Sequence, residues 1–273
     1  MSQLESILSL PQVRVRDPHS LAKKLSTFIQ GGAEQLMVIS DFDFTLSRFS
    51  DEQGNRCASC YCVFDDALPE QDPQFKEKFN ALYKKFGPIE HDHSLTIEQK
   101  VPFMEEWWTR SHECILNAGF KRDQIEKYVV DSKIRLRDNA ERMMEKMTSH
   151  NIADNTHIVS NMISFDGQGV VSGFSEPLIH VFCKNSSVIP DNASFSGQLH
   201  GRKNVILLGD SVGDASMDVG VEEEQASLKI GFVNHDTDKL VDKYLHYFDI
   251  VLVEDQSMDV PNSILEAIFA TNA

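Results

Sequence analysis

Asp41 and Asp43 end the apolar run Leu36-Met37-Val38-Ile39, one Phe apart, with Thr45 and Arg48 just beyond. In a strand, residues i and i+2 point to one side, so the spacing predicts two carboxylates converging past the strand's carboxyl end. That end is where open α/β sheets hold their ligands. Carboxylates so close repel unless a cation or a shared proton intervenes. The string NVILLGDSVGD repeats the design: an apolar strand, a glycine turn, then Asp210 and Asp214. If the two strands are neighbours, three or four carboxylates meet at one edge of the sheet. Hard oxygen ligands of this kind suit Mg²⁺, which is commonly shared with a substrate phosphate. Each aspartate alone reads equally well as a helix N-cap or a loop acid. The matched placement of both pairs favours metal-assisted phosphate chemistry.

The elements that must position these acids are short apolar runs. Besides Leu36–Ser40 they are His157–Asn161, Leu178–Phe182, Asn204–Asp210, Leu228–Val233 and Asp249–Asp255. Several are apolar throughout, as expected of strands covered on both faces in a parallel sheet. A helical pattern closes the chain at Pro261–Ala270. Between Ser50 and about Thr148 helical patterns dominate instead. In the first, Phe75, Phe79, Leu82 and Phe86 fall at helical spacing, and Gly87-Pro88 is expected to stop it. In the second, Thr96 and Gln99 have the spacing of a capping box, with Pro102 following in an early turn. The spacing thus predicts an α/β core of residues 1–50 and 149–273, with a helical insertion over 51–148.

The 273 residues are enough for a sizeable core, whether one domain or a core with an insertion. Twenty-six Lys and Arg against 42 Asp and Glu give a formal charge of −16, a poor match to a nucleic acid polymer. A small nucleotide held through a cation remains compatible with that charge. The sequence has no 18-residue apolar run and no basic segment followed by an apolar one at its start, so a cytoplasmic location without a membrane partner is expected. Five cysteines at 57, 60, 62, 114 and 183 do not make a disulfide framework. Cys57, Cys60 and Cys62 raise a zinc site, but no second pair follows, and reduced thiols are the expectation. The histidines of His91-Asp92-His93 are read as facing water.

DFDFT followed by GDSVGD resembles two motifs of the haloacid dehalogenase superfamily of phosphatases. The longer strings SDFDFTLSRFS, MEEWWTRSH, EPLIHVFCKNSS, NVILLGDSVGD, LKIGFVN and FDIVLVEDQSMDV are similar to the cytosolic 5′-nucleotidase III family over nearly the whole chain. The resemblance implies a Rossmann-like core with a parallel sheet and an inserted helical cap. It also implies a Mg²⁺-dependent hydrolase of nucleoside 5′-monophosphates, and a monomer. Asp41 would be the nucleophile, forming an aspartyl-phosphate, and Asp43 the acid and then the base. Mg²⁺ would be held by Asp41, Asp43 through its carbonyl, Asp210 and, as an outer ligand, Asp214. Lys184 matches the family's lysine that binds nucleophile and phosphate together. Read from the residues alone, Lys184 is a solvated lysine at a strand end.

The same resemblance places Glu90, Trp108 and Ser111 in the nucleotide pocket. Trp108 would be a stacking platform for the base and Glu90 an acceptor for an exocyclic amine. Adjacent helix positions face different ways, so Trp107 is expected inward and Trp108 towards ligand. A tryptophan at 108 resembles the branch acting on 7-methyl-GMP as well as on pyrimidine monophosphates such as CMP.

One departure stands out. The family has a second motif, a strand ending in Ser or Thr followed by a helix. The chain here runs directly through SHNIADNTHIVSN, roughly a strand and crossover helix short. Ser160 ends a strand-like run, yet it aligns with the family's next strand. The loss removes phosphate donors. It sets the nucleotidase reading against an inactive or weakly active splice-type variant that binds nucleotide without hydrolysis. A nucleoside phosphotransferase would differ only in its acceptor.

Overall fold

A computed structural model describes residues 2–66, 73–90, 92, 94–147, 156–189, 193 and 196–270. It begins with helix α1 (Ser2–Leu8), strand β1 (Val13–Val15), α2 (Pro18–Gly31), β2 (Leu36–Ser40) and α3 (Cys62–Asp66). Helices α4 (Pro73–Glu90), α5 (Ile97–Ala118), α6 (Arg122–Asp131) and α7 (Ala140–Met147) follow, then strands β3 (Ile163–Phe165) and β4 (Val171–Phe174). The chain closes with α8 (Ser196–Leu199), β5 (Asn204–Gly209), β6 (Ala226–Val233), α9 (Thr237–Tyr247), β7 (Ile250–Val253) and α10 (Asp259–Phe269). His91, His93 and the segment 148–155, where a strand and helix are expected to be missing, lie outside the described residues.

The residues fall into two units. The first is Met1–Cys57, Arg135–His157 and Asn185–Ala273; the second is Ala58–Ile134 and Ile158–Lys184. These bounds differ from the 51 and 148 read from the sequence. Residues 135–139 are not helical, and Arg137 bonds the turn after β2, which binds that stretch to the first unit. The β3–β4 hairpin shares its core with α4 and α5, which binds residues 158–184 to the second.

The first unit is built on a five-stranded sheet in the order β1-β7-β6-β5-β2, parallel except for β1. Alternation along the strands explains their unbroken apolar sequence. Ile206, Leu208, Ile250 and Leu252 pack with Leu21, Leu25 and Phe28 of α2 and Ile264 and Leu265 of α10. Leu207 and Val251 face the other way, onto Tyr244 and Phe248 beside α9. Helix α2 starts where Asp17 accepts hydrogen bonds from the amides of His19 (2.9 Å) and Ser20 (3.1 Å), with Pro18 in its first turn.

In the second unit Phe75, Phe79, Leu82 and Phe86 are all buried, as their spacing predicts. The helix does not stop at Gly87-Pro88 but runs to Glu90. Pro88 sits in its final turn, where the missing N–H costs a single bond. The Thr96–Gln99 capping box forms, and α5 ends on Gly119 in the left-handed conformation (φ 64°).

Two expected strands are absent among the described residues. His157–Asn161 is irregular, with Ile158 78 % exposed, and finds no partner strand. Leu178–Phe182 forms a turn whose amides are taken locally, that of His180 by Cys183 Sγ (3.1 Å) and that of Phe182 by His180 Nδ1 (3.2 Å). The residues 134–138, expected to be helical, are not, and Asn139 turns into α7 with a positive φ of 63°.

Candidate active site

Strands β2 and β5 are adjacent and parallel, with Ser40 opposite Leu208. The amide of Asp41 continues that ladder by donating to the Leu208 carbonyl at 3.0 Å. Asp41 and Asp210 therefore leave neighbouring strands at the same end of the sheet. Asp214 joins them from the short 3₁₀ turn Val212–Ser216. One carboxylate oxygen each from Asp41, Asp210 and Asp214 lie within 4.8 Å of one another.

Local sequence explains how Asp214 gets there. Its Oδ2 accepts from the amide (2.9 Å) and the hydroxyl (2.8 Å) of Ser211, folding the side chain back over the turn. A Cβ at position 209 would lie 2.4 Å from that of Asp214, so only glycine admits this approach. Asp214 is almost wholly buried. From α9, the Tyr244 hydroxyl donates to the Asp210 carbonyl at 2.6 Å. Burial first, then the charges of Asp210 and Asp214, push the Tyr244 phenol well above the usual tyrosine range.

Asp43 is placed differently from its sequence expectation. Strand β2 ends at Ser40, and Asp43 opens a turn over residues 43–46, so the i, i+2 strand relation with Asp41 does not hold. Its carboxylate is not one of the three that lie within 4.8 Å of one another. The turn is tied down by Phe44 N to Ser47 Oγ (2.8 Å) and Ser47 N to Phe42 O (2.9 Å). Phe44 takes a positive φ of 61°.

The remaining predicted residues belong to the second unit. Trp107 is buried and Trp108 half-buried, as expected of adjacent helix positions. The Trp107 indole N–H donates to the Tyr61 hydroxyl at 3.1 Å. Trp108 meets Tyr61 edge-on at 6.1 Å and His112 at 5.9 Å. Ser111 is 1 % exposed, with its hydroxyl 3.4 Å from that of Tyr61. Glu90 is the half-buried last residue of α4, and its carbonyl accepts from Lys100 Nζ at 2.8 Å. Lys184 is half-buried and ends a loop rather than a strand.

Sequence reasoning passed over three residues. Tyr244 and Arg137, described below, sit in ordinary helical or extended strings. His112 follows Ser111 in the quoted WTRSH string; its ring stacks on Phe174 at 3.7 Å, and burial pushes its pKa down to about 4.

The sequence pattern of the pyrimidine 5′-nucleotidase (UMPH-1) family matches residues 44–153 and 150–269. A Caenorhabditis elegans protein called putative cytosolic 5′-nucleotidase 3 is 42 % identical over 288 residues, covering 96 % of this chain and 77 % of the relative. The human 7-methylguanosine phosphate-specific 5′-nucleotidase is 35 % identical over 291 residues, covering 98 % and 96 %. The crystal structure of cytosolic 5′-nucleotidase IIIB bound to cytidine superposes with a TM-score of 0.87 at 31 % identity, covering 99 % of this chain and 98 % of that one. The mostly parallel α/β fold expected from the sequence is thus shared with that structure.

Proposed function

The chain belongs to the pyrimidine 5′-nucleotidase (UMPH-1) family, phosphoric monoester hydrolases acting on nucleoside monophosphates, and from that premise we propose that its own substrates are 7-methyl-GMP and CMP. The observation that carries the chemistry is the meeting of Asp41, Asp210 and Asp214 within 4.8 Å at the ends of two adjacent parallel strands.

Three carboxylates so close, one of them buried, fit a divalent cation and little else. Hard oxygen donors select Mg²⁺, which Asp41, Asp210, the Asp43 carbonyl and Asp214 would hold. When bound, the cation supplies neutralisation of charge on the transferring phosphoryl oxygens. In the reaction, an Asp41 carboxylate oxygen attacks phosphorus and the bond to the 5′ oxygen breaks, its electron pair staying on that oxygen. Asp43, protonated, gives its proton there, and free nucleoside leaves behind an aspartyl-phosphate. Water then attacks the same phosphorus, yielding a proton to the Asp43 carboxylate, and the acyl–phosphate P–O bond breaks to restore Asp41. Glu90, Trp108 and Ser111 recognise the base, and Lys184 offsets phosphate charge. We read the first unit as the catalytic core and the second as the cap. We also take the protein to be a cytoplasmic monomer; the nematode relative is called cytosolic, and no described helix is long and apolar enough to cross a membrane.

A second reading has two features in its favour. The family pattern matches in two stretches that meet near residue 150, where the sequence lacks a strand and helix, and among the described residues β2 has a single sheet neighbour. Both support a chain without the second motif, which would bind nucleotide but hydrolyse it poorly. The test is phosphate release from 7-methyl-GMP, CMP, UMP and AMP with Mg²⁺, beside Asp41→Asn and a thermal melt. Release from 7-methyl-GMP and CMP that Asp41→Asn abolishes upholds the hydrolase. A cooperative melt with nucleotide binding and no release upholds the second reading, and UMP or AMP as the best substrate rejects the assigned bases. Nucleotide made on adding a second nucleoside would identify a phosphotransferase.

A further inference from the structure

Arg137 is 2 % exposed, and although the charges of Asp210 and Asp255 act on its guanidinium, neither carboxylate forms an ion pair with it. Burying a guanidinium without a direct ion pair is unfavourable unless its donors are fully used. Here they are used on neutral oxygens from three separate segments. Nε donates to the Thr45 carbonyl at 2.7 Å and Nη2 to the Phe44 carbonyl and, at 2.8 Å, to Asn234 Oδ1. Nη1 donates to the Asp255 carbonyl. The guanidinium carbon lies 4.1 Å from the centroid of the Phe232 ring, a cation–π contact. Asn234 follows β6 and Asp255 follows β7, so a single side chain joins the turn after β2 to the carboxyl ends of two other strands.

The turn it grips is the one that carries Asp43. Phe44, the next residue, has φ 61°, a conformation that a non-glycine residue holds only when its surroundings impose it. Its carbonyl takes two donors, Arg137 and Asn234 Nδ2 at 3.1 Å. The Arg137 amide also donates to the Leu46 carbonyl at 2.9 Å, gripping the far side of the same turn. Asp43 lies beyond the last strand residue, Ser40, in the turn that these bonds hold at Phe44, Thr45 and Leu46.

We propose that Arg137 is a positioning residue for proton transfer: by fixing the Phe44 and Thr45 carbonyls it aims the Asp43 carboxyl at the ester oxygen that leaves phosphorus. The proposal rests on the hydrolase reading above. A lysine cannot reproduce it, because a point charge does not bridge four oxygens in a plane.

Leaving groups separate this role from a merely structural one. A nucleoside 5′ oxygen needs a proton as it departs; p-nitrophenolate does not. The quantity to read is kcat/KM, which reports steps up to formation of the aspartyl-phosphate. With Mg²⁺ present, Arg137→Lys and Arg137→Met should lower kcat/KM for CMP by about 100-fold while that for p-nitrophenyl phosphate stays within about threefold. Equal losses on both esters, or none on CMP, overturn the proposal and leave the hydrolase reading standing. A wild-type chain inactive on both esters overturns the two together. Should neither Arg137 variant melt cooperatively, Asn234→Ala must give the same split in smaller measure, about tenfold on CMP, and its absence is equally decisive.

Discussion

The Tyr244 hydroxyl reaches across from α9 to donate to the main-chain carbonyl of Asp210 at 2.6 Å. The helix on one face of the sheet thereby fixes the strand end that presents an acid to the three-carboxylate cluster. The bond acts on the backbone of Asp210 rather than on its carboxylate.

Tyr244→Phe keeps the ring packed on Phe248, 5.6 Å away, and removes only that bond. The unsatisfied carbonyl should cost about 1 kcal/mol of stability. Loosening an outer support of a metal ligand should raise the Mg²⁺ concentration for half-maximal phosphate release by about tenfold. A Mg²⁺ titration of the variant beside the wild type checks both the size and the direction.

The acid cluster predicts an unusual stability response. Without a divalent cation, Asp41, Asp210 and Asp214 repel, so Asp41→Asn in EDTA should melt higher than wild type, by about 2–4 °C for each kcal/mol relieved. Mg²⁺ at about 100 times its Kd should add about 2.7 kcal/mol to the wild type and much less to the variant. Calorimetry with and without Mg²⁺ reads both effects, and identical shifts in the two proteins would remove the cation from these residues.

Much of this site was legible because apolar parallel strands that end in acids announce themselves. Leu36–Ser40 and Asn204–Gly209 are apolar throughout and end in Asp and Gly-Asp, so strand, end and acid could be read together. His157–Asn161 and Leu178–Phe182 have similar composition yet form no strand, because a short apolar run does not say whether a partner edge exists for it. The strands β1, β3 and β4 are three or four residues long, too short for a periodicity to show. Asp43's departure from the strand depends on bonds from Ser47, Asn234 and Arg137, up to 190 residues away in sequence. Arg137 stands in a string, LRDNAERM, that reads as an ordinary helix start.

Acid should weaken the second unit before its carboxylates titrate. Burial holds the His112 pKa down to about 4 and lowers that of His180 as well, while both rise to the ordinary histidine value on unfolding. The unfolded chain therefore takes up protons first. The stability that each neutral imidazole contributes is complete above about pH 6.5 and, for His112, is lost as the pH falls towards 4. His112→Phe, which keeps a ring for the Phe174 stack, should flatten the decline of Tm between pH 6.5 and 4.5. A variant whose Tm declines as steeply as the wild type's would assign the slope to other groups.

Trp108 tests base recognition apart from phosphate chemistry. If its half-buried indole stacks on the base, Trp108→Ala should lose about 1–3 kcal/mol of nucleotide binding, a roughly 5- to 150-fold rise in KM for 7-methyl-GMP and CMP. An aryl phosphate has no nucleobase to place there, so its KM should hardly move. The variant also gives up edge contacts to Tyr61 and His112, so a melt must accompany the kinetics. KM rising equally for nucleotide and aryl phosphate would mean that the indole supports the helix rather than the base. A KM unchanged for both would take Trp108 out of the pocket.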